Sequence, residues 1–283
     1  MQILINGQSE VSVSSQDRGF QYGDGLFETL AMENGEVRNW PLHWNRLCDG
    51  CDRLFLPSLN EIQILSEIDH VSCGVGKEII KVIYSRGIGQ RGYAFDEGTS
   101  STRVISAHPW PKLRETNVNI GIELFVCKTR IAIQPALAGI KHLNRLENVL
   151  ARHEWNSEQY AEGIMLDTRD NVIEGTMSNL FIVKNGRLQT PDISDCGVKG
   201  ITRQRIIEIA KEKGISLDVV PIKMDQVFNA DEVFVCNSII GIWPVNKIRH
   251  QNFLVTPVGD ILPKTNVSSI TRQLIESLQY NLR

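Results

Sequence analysis

The sequence predicts a two-domain α+β protein, and three features carry that reading. Short β-rich segments end in Asn-Gly pairs at 6–7, 34–35 and 185–186, the dipeptide that most readily takes positive φ in a tight turn. Amphipathic segments at helical spacing lie among them, as over 41–54 and 202–213. His108-Pro109-Trp110-Pro111 then interrupts the chain, since each proline removes a backbone donor and restricts the residue before it. These signals place a smaller N-terminal α/β domain at 1–110, a linker at 111–117 and a larger C-terminal mixed β/α domain at 118–283, with a cleft expected between the two.

Composition narrows the function classes. The 283 residues give ample core, and a net charge of −3 offers no reason to expect nucleic acid or an acidic membrane surface as partner. No apolar run reaches the length of a bilayer span, and Met1-Gln2-Ile3-Leu4-Ile5 enters a strand-like segment directly. Six cysteines are scattered, and only Cys48 and Cys51 form a C-x-x-C, with no second pair to complete a metal site. Their spacing also fits one helix face with Leu47 and Leu54, so buried reduced thiols are expected, with no metal and a cytoplasmic setting.

In chain order, Ile3-Leu4-Ile5 is expected to pair with Val11–Val13 across Asn6-Gly7, and 27–32 with 36–38 across Asn34-Gly35. Pro41 opens a helix to about Leu54 with Leu42, Leu47, Cys51 and Leu54 inward, followed by a helix over 61–68. Residues 79–84 and 104–107 read as neighbouring strands, and beyond the proline break 118–124 alternates as a half-buried strand. From Ile140 the apolar residues Ile140, Leu143, Leu146, Val149 and Leu150 form one helical stripe, packed into the core, with Lys141, Asn144, Arg145 and Asn148 on a polar face. Strands follow at 163–167, 179–183 and 232–235. A helix from Thr202 to Lys213 is closed by Gly214, and a terminal helix carries Val267, Ile270, Leu274 and Leu278 on one side.

Several of these residues suit chemistry, although each has an ordinary structural reading beside it. Lys141 is either a solvated helix lysine or an amine aimed into a cleft, where desolvation frees it for Schiff-base chemistry. The loop through Gly197 and Gly200 into a helix capped by Thr202 offers backbone N–H groups and a positive helix end, a seat for phosphate or a plain N-cap. Arg46, three residues after His43, could clamp a phosphate or lie on the surface. Glu174 ends an apolar strand before Gly175-Thr176, where it could pair with a protonated pyridine nitrogen or sit in a solvated turn. Tyr22 and Thr29 flank Asp24-Gly25 and could reach a cleft. Arg86 and Arg91 lie on a glycine-rich loop that lacks a GK[ST] ending; two guanidiniums there suit carboxylate recognition.

Taken in order, Tyr22-Gly23-Asp24-Gly25-Leu26-Phe27-Glu28, the Arg46 helix, Lys141, Glu174-Gly175-Thr176-Met177-Ser178-Asn179-Leu180-Phe181, Gly200-Ile201-Thr202-Arg203 and Glu232-Val233-Phe234 span most of the chain. The set resembles the fold-type IV pyridoxal-phosphate enzymes, the D-amino-acid aminotransferase-like fold that includes branched-chain aminotransferases, D-amino-acid aminotransferases and 4-amino-4-deoxychorismate lyases. The resemblance implies a homodimer, a small-molecule substrate and a site between the two domains. It implies that Lys141 carries pyridoxal 5'-phosphate and moves the proton, and that Glu174 pairs with the ring nitrogen. Arg46, Ile201, Thr202 and Ser238 would hold the phosphate.

Within the family, Gly139-Ile140-Lys141-His142-Leu143-Asn144-Arg145-Leu146-Glu147, the loop from Ser85-Arg86-Gly87 to Arg91-Gly92-Tyr93, and Cys236-Asn237 are most similar to the lyases. Leu146 stands where branched-chain aminotransferases carry tyrosine, and His142 where D-amino-acid aminotransferases usually carry serine. The implied activity is a carbon–oxygen lyase of folate biosynthesis, converting 4-amino-4-deoxychorismate to 4-aminobenzoate and pyruvate. Tyr22, Arg86, Arg91 and Asn237 are the substrate candidates, and Thr29 or Lys141 the donor of a proton to the leaving fragment. The alternatives are a fold-type IV aminotransferase and a catalytically silent binding protein on the same fold.

Overall fold

A computed structural model describes residues 2–9, 12–95, 98–113, 116–156, 158–250, 253–255 and 269–280. The chain forms two compact units, one of Met1–Pro111 with Ile140–Arg145 and the other of Lys112–Gly139 with Leu146–Arg283.

The first unit holds β1 (Ile3–Ile5), α1 (Arg18–Tyr22), β2 (Gly25–Glu33), β3 (Glu36–Val37), α2 (Trp40–Leu54), α3 (Glu61–Val71), β4 (Lys77–Ser85) and β5 (Thr102–Pro109). Its five strands run antiparallel in the order β1-β5-β4-β2-β3. Asn34 and Gly35, at φ 51° and 83°, make the β2–β3 turn that their dipeptide predicts. The other expected hairpin does not form: β1 pairs with β5, and Asn6-Gly7 closes only an isolated bridge between Ile5 and Gln8. Residues 12–13 are not strand, and Val11 lies outside the described residues. Burial of Leu4 and Ile5 against the sheet outweighs the local turn signal. β5 also runs through His108 to Pro109, because Pro109 comes last, beyond the stretch paired with β1.

One face of this sheet builds the core. Leu30, Met32, Ile80, Val82, Ile105 and Ala107 pack on Ile64, Ile68 and Val71 of α3. On α2 the buried residues are His43, Leu47, Gly50 and Cys51, while Leu42 and Leu54 are only half-buried. A Cβ at Gly50 would come within 2.7 Å of the Leu26 side chain, so the glycine lets α2 lie against β2.

The second unit contains α4 (Thr116–Asn119), β6 (Ile122–Ile131), α5 (Leu146–His153), β7 (Tyr160–Asp167), β8 (Val172–Gly175), β9 (Asn179–Lys184), β10 (Arg187–Pro191), α6 (Ile201–Glu212), β11 (Leu217–Val220), α7 (Met224–Phe228), β12 (Glu232–Asn237), β13 (Gly241–His250), β14 (Phe253–Val255) and α8 (Ile270–Tyr280). Its mixed sheet has the order β11-β10-β9-β12-β13-β6-β7-β8, with β14 beside β13. The Phe181 and Phe234 rings stack 4.9 Å apart in a core that includes Ile206 and Ile209 of α6 and Leu274 and Leu278 of α8. Val267, expected on the α8 stripe, lies outside the described residues. The strand expected at 118–124 begins only at Ile122, after α4 and Gly121 at φ 92°.

The largest departure from expectation is at Lys141. No helix begins at Ile140; residues 140–145 run as an open segment and α5 starts at Leu146. The Phe27 N–H donates to Lys141 O at 2.9 Å, and the Leu143 N–H to Gly25 O at 2.9 Å, giving an antiparallel bridge between Leu26 and His142. Arg145 donates back to the carbonyls of His142 (2.9 Å) and Ile140 (3.4 Å), groups a helix would have used itself. The segment thus belongs with the first unit and not with the C-terminal domain where its place in the chain suggested. Nor is the expected stripe core: Leu146, Val149 and Leu150 are 77, 61 and 60 % exposed.

Gly25 is the residue this arrangement tolerates least to lose, because a Cβ there would collide with the Tyr84 carbonyl and lie 2.9 Å from Leu143 Cδ1. Gly25→Ala is expected to destabilise by about 1–3 kcal/mol, a typical cost of forced overpacking, in urea unfolding. Gly98→Ala, where a Cβ meets nothing within 4 Å, is the control and should change little.

Candidate active site

β2 supplies the floor beneath Lys141. Its Nζ sits over the Phe27 ring, 4.3 Å from the centroid, a cation–π distance. Thr29, half-buried, follows two residues along the strand and projects from the same side. The Tyr22–Glu28 motif is therefore the lysine's seat and not a simple turn: Asn144 Nδ2 donates to Gly23 O at 3.0 Å, and Gly25 lets Leu143 close in.

On the opposite side of β2, Glu28 is buried between two side chains of α2. Arg46 Nε and Nη2 donate to its two oxygens at 2.7 and 2.6 Å, and His43 Nδ1 lies 2.7 Å away. Burial alone would raise the Glu28 carboxyl, but Arg46 and then His43 outweigh it and hold it down at about 2. Arg46 is thus a half-buried, oriented guanidinium and not a loose surface side chain. Nothing in the spacing of the sequence marked Glu28 as its partner.

The arginines of the glycine-rich loop separate. Arg86 is buried, pairs with Asp24 through Nε (2.8 Å) and Nη2 (3.0 Å), and donates to Phe55 O and Leu54 O at 2.7 Å each. Its plane also stacks 3.7 Å from the Phe95 ring, beside a cavity of about 580 Å³ that neither Lys141 nor Thr29 lines. Four hydrogen bonds thus fix the Arg86 guanidinium inside the protein. Arg91 is exposed. Arg18, which the sequence reading passed over, holds this loop by donating to the carbonyls of Gly92, Tyr93 and Ala94 and to Asp24. Tyr22 belongs to the same assembly, its ring edge-on to Tyr93 at 5.5 Å and its hydroxyl 3.4 Å from Gly92 N.

In the second unit Glu174 is buried at the end of β8, not solvated in a turn. Its Oε2 accepts from Val198 N at 2.8 Å, and Asn179 Nδ2 lies 3.5 Å away. Val198 sits between Gly197, at φ 88°, and the start of α6. Gly139 flanks this loop through bonds to Gly197 O (2.8 Å) and from Lys199 N (2.9 Å). The N-cap of α6 is Gly200, not Thr202, and it makes no side-chain cap bond. A Cβ at Gly200 would collide with Asn179 Oδ1. Ile201 and Thr202 occupy the first turn, where N–H groups and the helix dipole suit an anion.

Another residue the sequence did not single out is Glu162. Its buried carboxylate accepts from the N–H and hydroxyl of Thr176, from Met177 N at 3.2 Å and from Ser178 Oγ at 2.8 Å. It shapes the loop that follows Glu174. Asn237 is occupied in a turn, accepting from Ile239 N and Ile240 N at 2.9 Å and donating to Met177 O at 3.0 Å. Ser238 follows directly after β12.

The groups present suit pyridoxal phosphate: the first unit offers an amine for its carbonyl carbon and an oriented guanidinium for its phosphate, and the second a buried carboxylate for its ring nitrogen and an uncapped helix N-terminus. They define the class of protein as a fold-type IV pyridoxal-phosphate enzyme. The comparisons with known proteins agree. The sequence profile of the family described as "Amino-transferase class IV" matches residues 25–248, and the chain belongs to that family. It is 34% identical over 258 residues to aminodeoxychorismate lyase of Vibrio harveyi, covering 91% of this chain and 95% of that one. A crystal structure of 4-amino-4-deoxychorismate lyase from Pseudomonas aeruginosa is 42% identical, covers 99% of both chains and superposes with a TM-score of 0.89. The branched-chain amino acid aminotransferase of Escherichia coli is 26% identical with a TM-score of 0.83, over 99% of this chain and 94% of that one.

The buried Glu28 pair gives a pH signature. The folded carboxyl titrates near 2 against an ordinary value of 4.5, so the pair stabilises the protein fully above about pH 4.5. That contribution is lost as the pH falls from there towards 2. Glu28→Gln is expected to cost about 3–5 kcal/mol in urea unfolding at pH 7, the range for breaking a buried ion pair. The gap between variant and wild type should narrow steadily below pH 4.5.

Proposed function

We propose that the protein is an aminodeoxychorismate lyase, cleaving 4-amino-4-deoxychorismate to 4-aminobenzoate and pyruvate in folate biosynthesis. The observation that carries this is similarity to two proteins bearing that name over more than nine-tenths of the chain, at higher identity than the aminotransferase cited beside them.

Pyridoxal phosphate, when bound, supplies an electron sink that acidifies the proton on the carbon bearing the substrate amine. In this reading Lys141 would hold the cofactor, and its amine would take the proton from the carbon bearing the substrate amine. Glu174 would pair with the ring nitrogen and keep it protonated. Arg46, set by Glu28, would bind the phosphate, as would the N–H groups of Ile201 and Thr202, the Thr202 hydroxyl and Ser238. Lys141, directly or through the Thr29 hydroxyl on the Phe27 side of β2, would return that proton to the departing enolpyruvyl oxygen as the ring aromatises. Tyr22, Arg86, Arg91 and Asn237 are candidate substrate contacts.

Lys141→Ala is expected to abolish both the visible cofactor band and pyruvate release, which excludes a silent binding protein. Wild type should release pyruvate from 4-amino-4-deoxychorismate. Amino transfer from alanine to 2-oxoglutarate without that release would establish an aminotransferase instead.

The exposed stripe of Leu146, Val149 and Leu150 supports a homodimer, since three large apolar residues on one helix are costly to leave in water. Val149→Asp is expected to shift the protein towards monomer in sedimentation, and unchanged mass would rule this helix out as the contact. Six free thiols and no helix, among the described residues, long and apolar enough to cross a membrane support a cytoplasmic setting.

A further inference from the structure

The N-terminal sheet has a second face, opposite α3, with one polar row set among apolar ones. Thr29, Lys81 and Ser106 are direct cross-strand partners on β2, β4 and β5. On one side of them lie Phe27, Ile83 and Val104, and on the other Ala31, Ile79 and His108. Directly opposed side chains stand about 5 Å apart at their bases, so the lysine side chain rises from between those of Thr29 and Ser106.

This row is close to Lys141. Lys81 Nζ lies 5.7 Å from the centroid of Phe27, the same ring that carries the Lys141 amine. Ser106 is buried, and its Oγ lies 2.9 Å from His108 Nε2, which fixes the hydroxyl. Lys81 is half-buried, and among the described residues no carboxylate lies within ion-pair distance of it. A partly desolvated cation without a counter-charge is poised for an anion.

We propose that Lys81, with Ser106 beside it, is a carboxylate-binding subsite for the substrate. The assignment rests on the lyase reading, whose substrate carries two carboxylates, and it supplies a cation at the Phe27 ring that carries Lys141. Binding there lays the substrate across Thr29 and the Phe27 ring, next to the lysine amine.

Lys81→Met holoenzyme is expected to raise the KM for 4-amino-4-deoxychorismate roughly 10- to 100-fold, the range for losing one charge-assisted contact, with a much smaller change in kcat. Lys81→Arg, which keeps the charge, should recover most of the loss. The visible cofactor band and the unfolding midpoint should match wild type in both variants, which separates a substrate contact from damage to the cofactor site or the fold. An unchanged KM in Lys81→Met overturns the subsite, as does loss of the cofactor band. If the wild-type holoenzyme shows its band but releases no pyruvate, the lyase reading fails. The subsite is then tested by binding of 2-oxoglutarate, a dicarboxylate, which Lys81→Met must weaken for the assignment to survive.

Discussion

Two backbone hydrogen bonds, from Phe27 to the Lys141 carbonyl and from Leu143 to the Gly25 carbonyl, carry the site on the first unit. They turn residues 141–143 into a short neighbour of β2 and dictate which way each side chain points. Successive residues of an extended segment face opposite ways, so Lys141 joins Phe27 on one side of the strand. His142 is directed to the other, and burial and then Arg145 push its imidazole down to about 4. A helix through this stretch would have rotated each residue by about 100° from the last and scattered those directions.

Carboxylates that are buried or half-buried do the comparable work elsewhere. Glu28 orients Arg46, Asp24 gathers Arg18 and Arg86, and Glu162 collects the donors of residues 176–178. Taking such charges out of water is costly, so their value lies in geometry more than in net stability. Each fixes a loop or a guanidinium that chain entropy would otherwise leave mobile. The acid lability of the Glu28 pair follows from the same arrangement.

The fold is shared between lyases and aminotransferases, as the comparisons make plain. Fold therefore does not choose the reaction; the side chains around the amine do. The polar row of Thr29, Lys81 and Ser106 belongs to that deciding layer, because it sets which anions can lie beside Lys141.

The sequence by itself determined the family, most strand and helix positions, and the residue types that pyridoxal phosphate requires. Those signals are local: Asn34-Gly35 needs only its own φ angles, and the motif around Glu174 lies in one run of chain. Tertiary structure decided what depends on pairing across long separations. It moved Ile3–Ile5 from a local hairpin to β5, gave Arg86 Asp24 and two carbonyls as partners, and exposed the Leu146 stripe that periodicity had assigned to core. It also replaced the helix at Lys141 with an extended segment, because β2 offers unsatisfied backbone groups at Gly25 and Phe27 that periodicity cannot register.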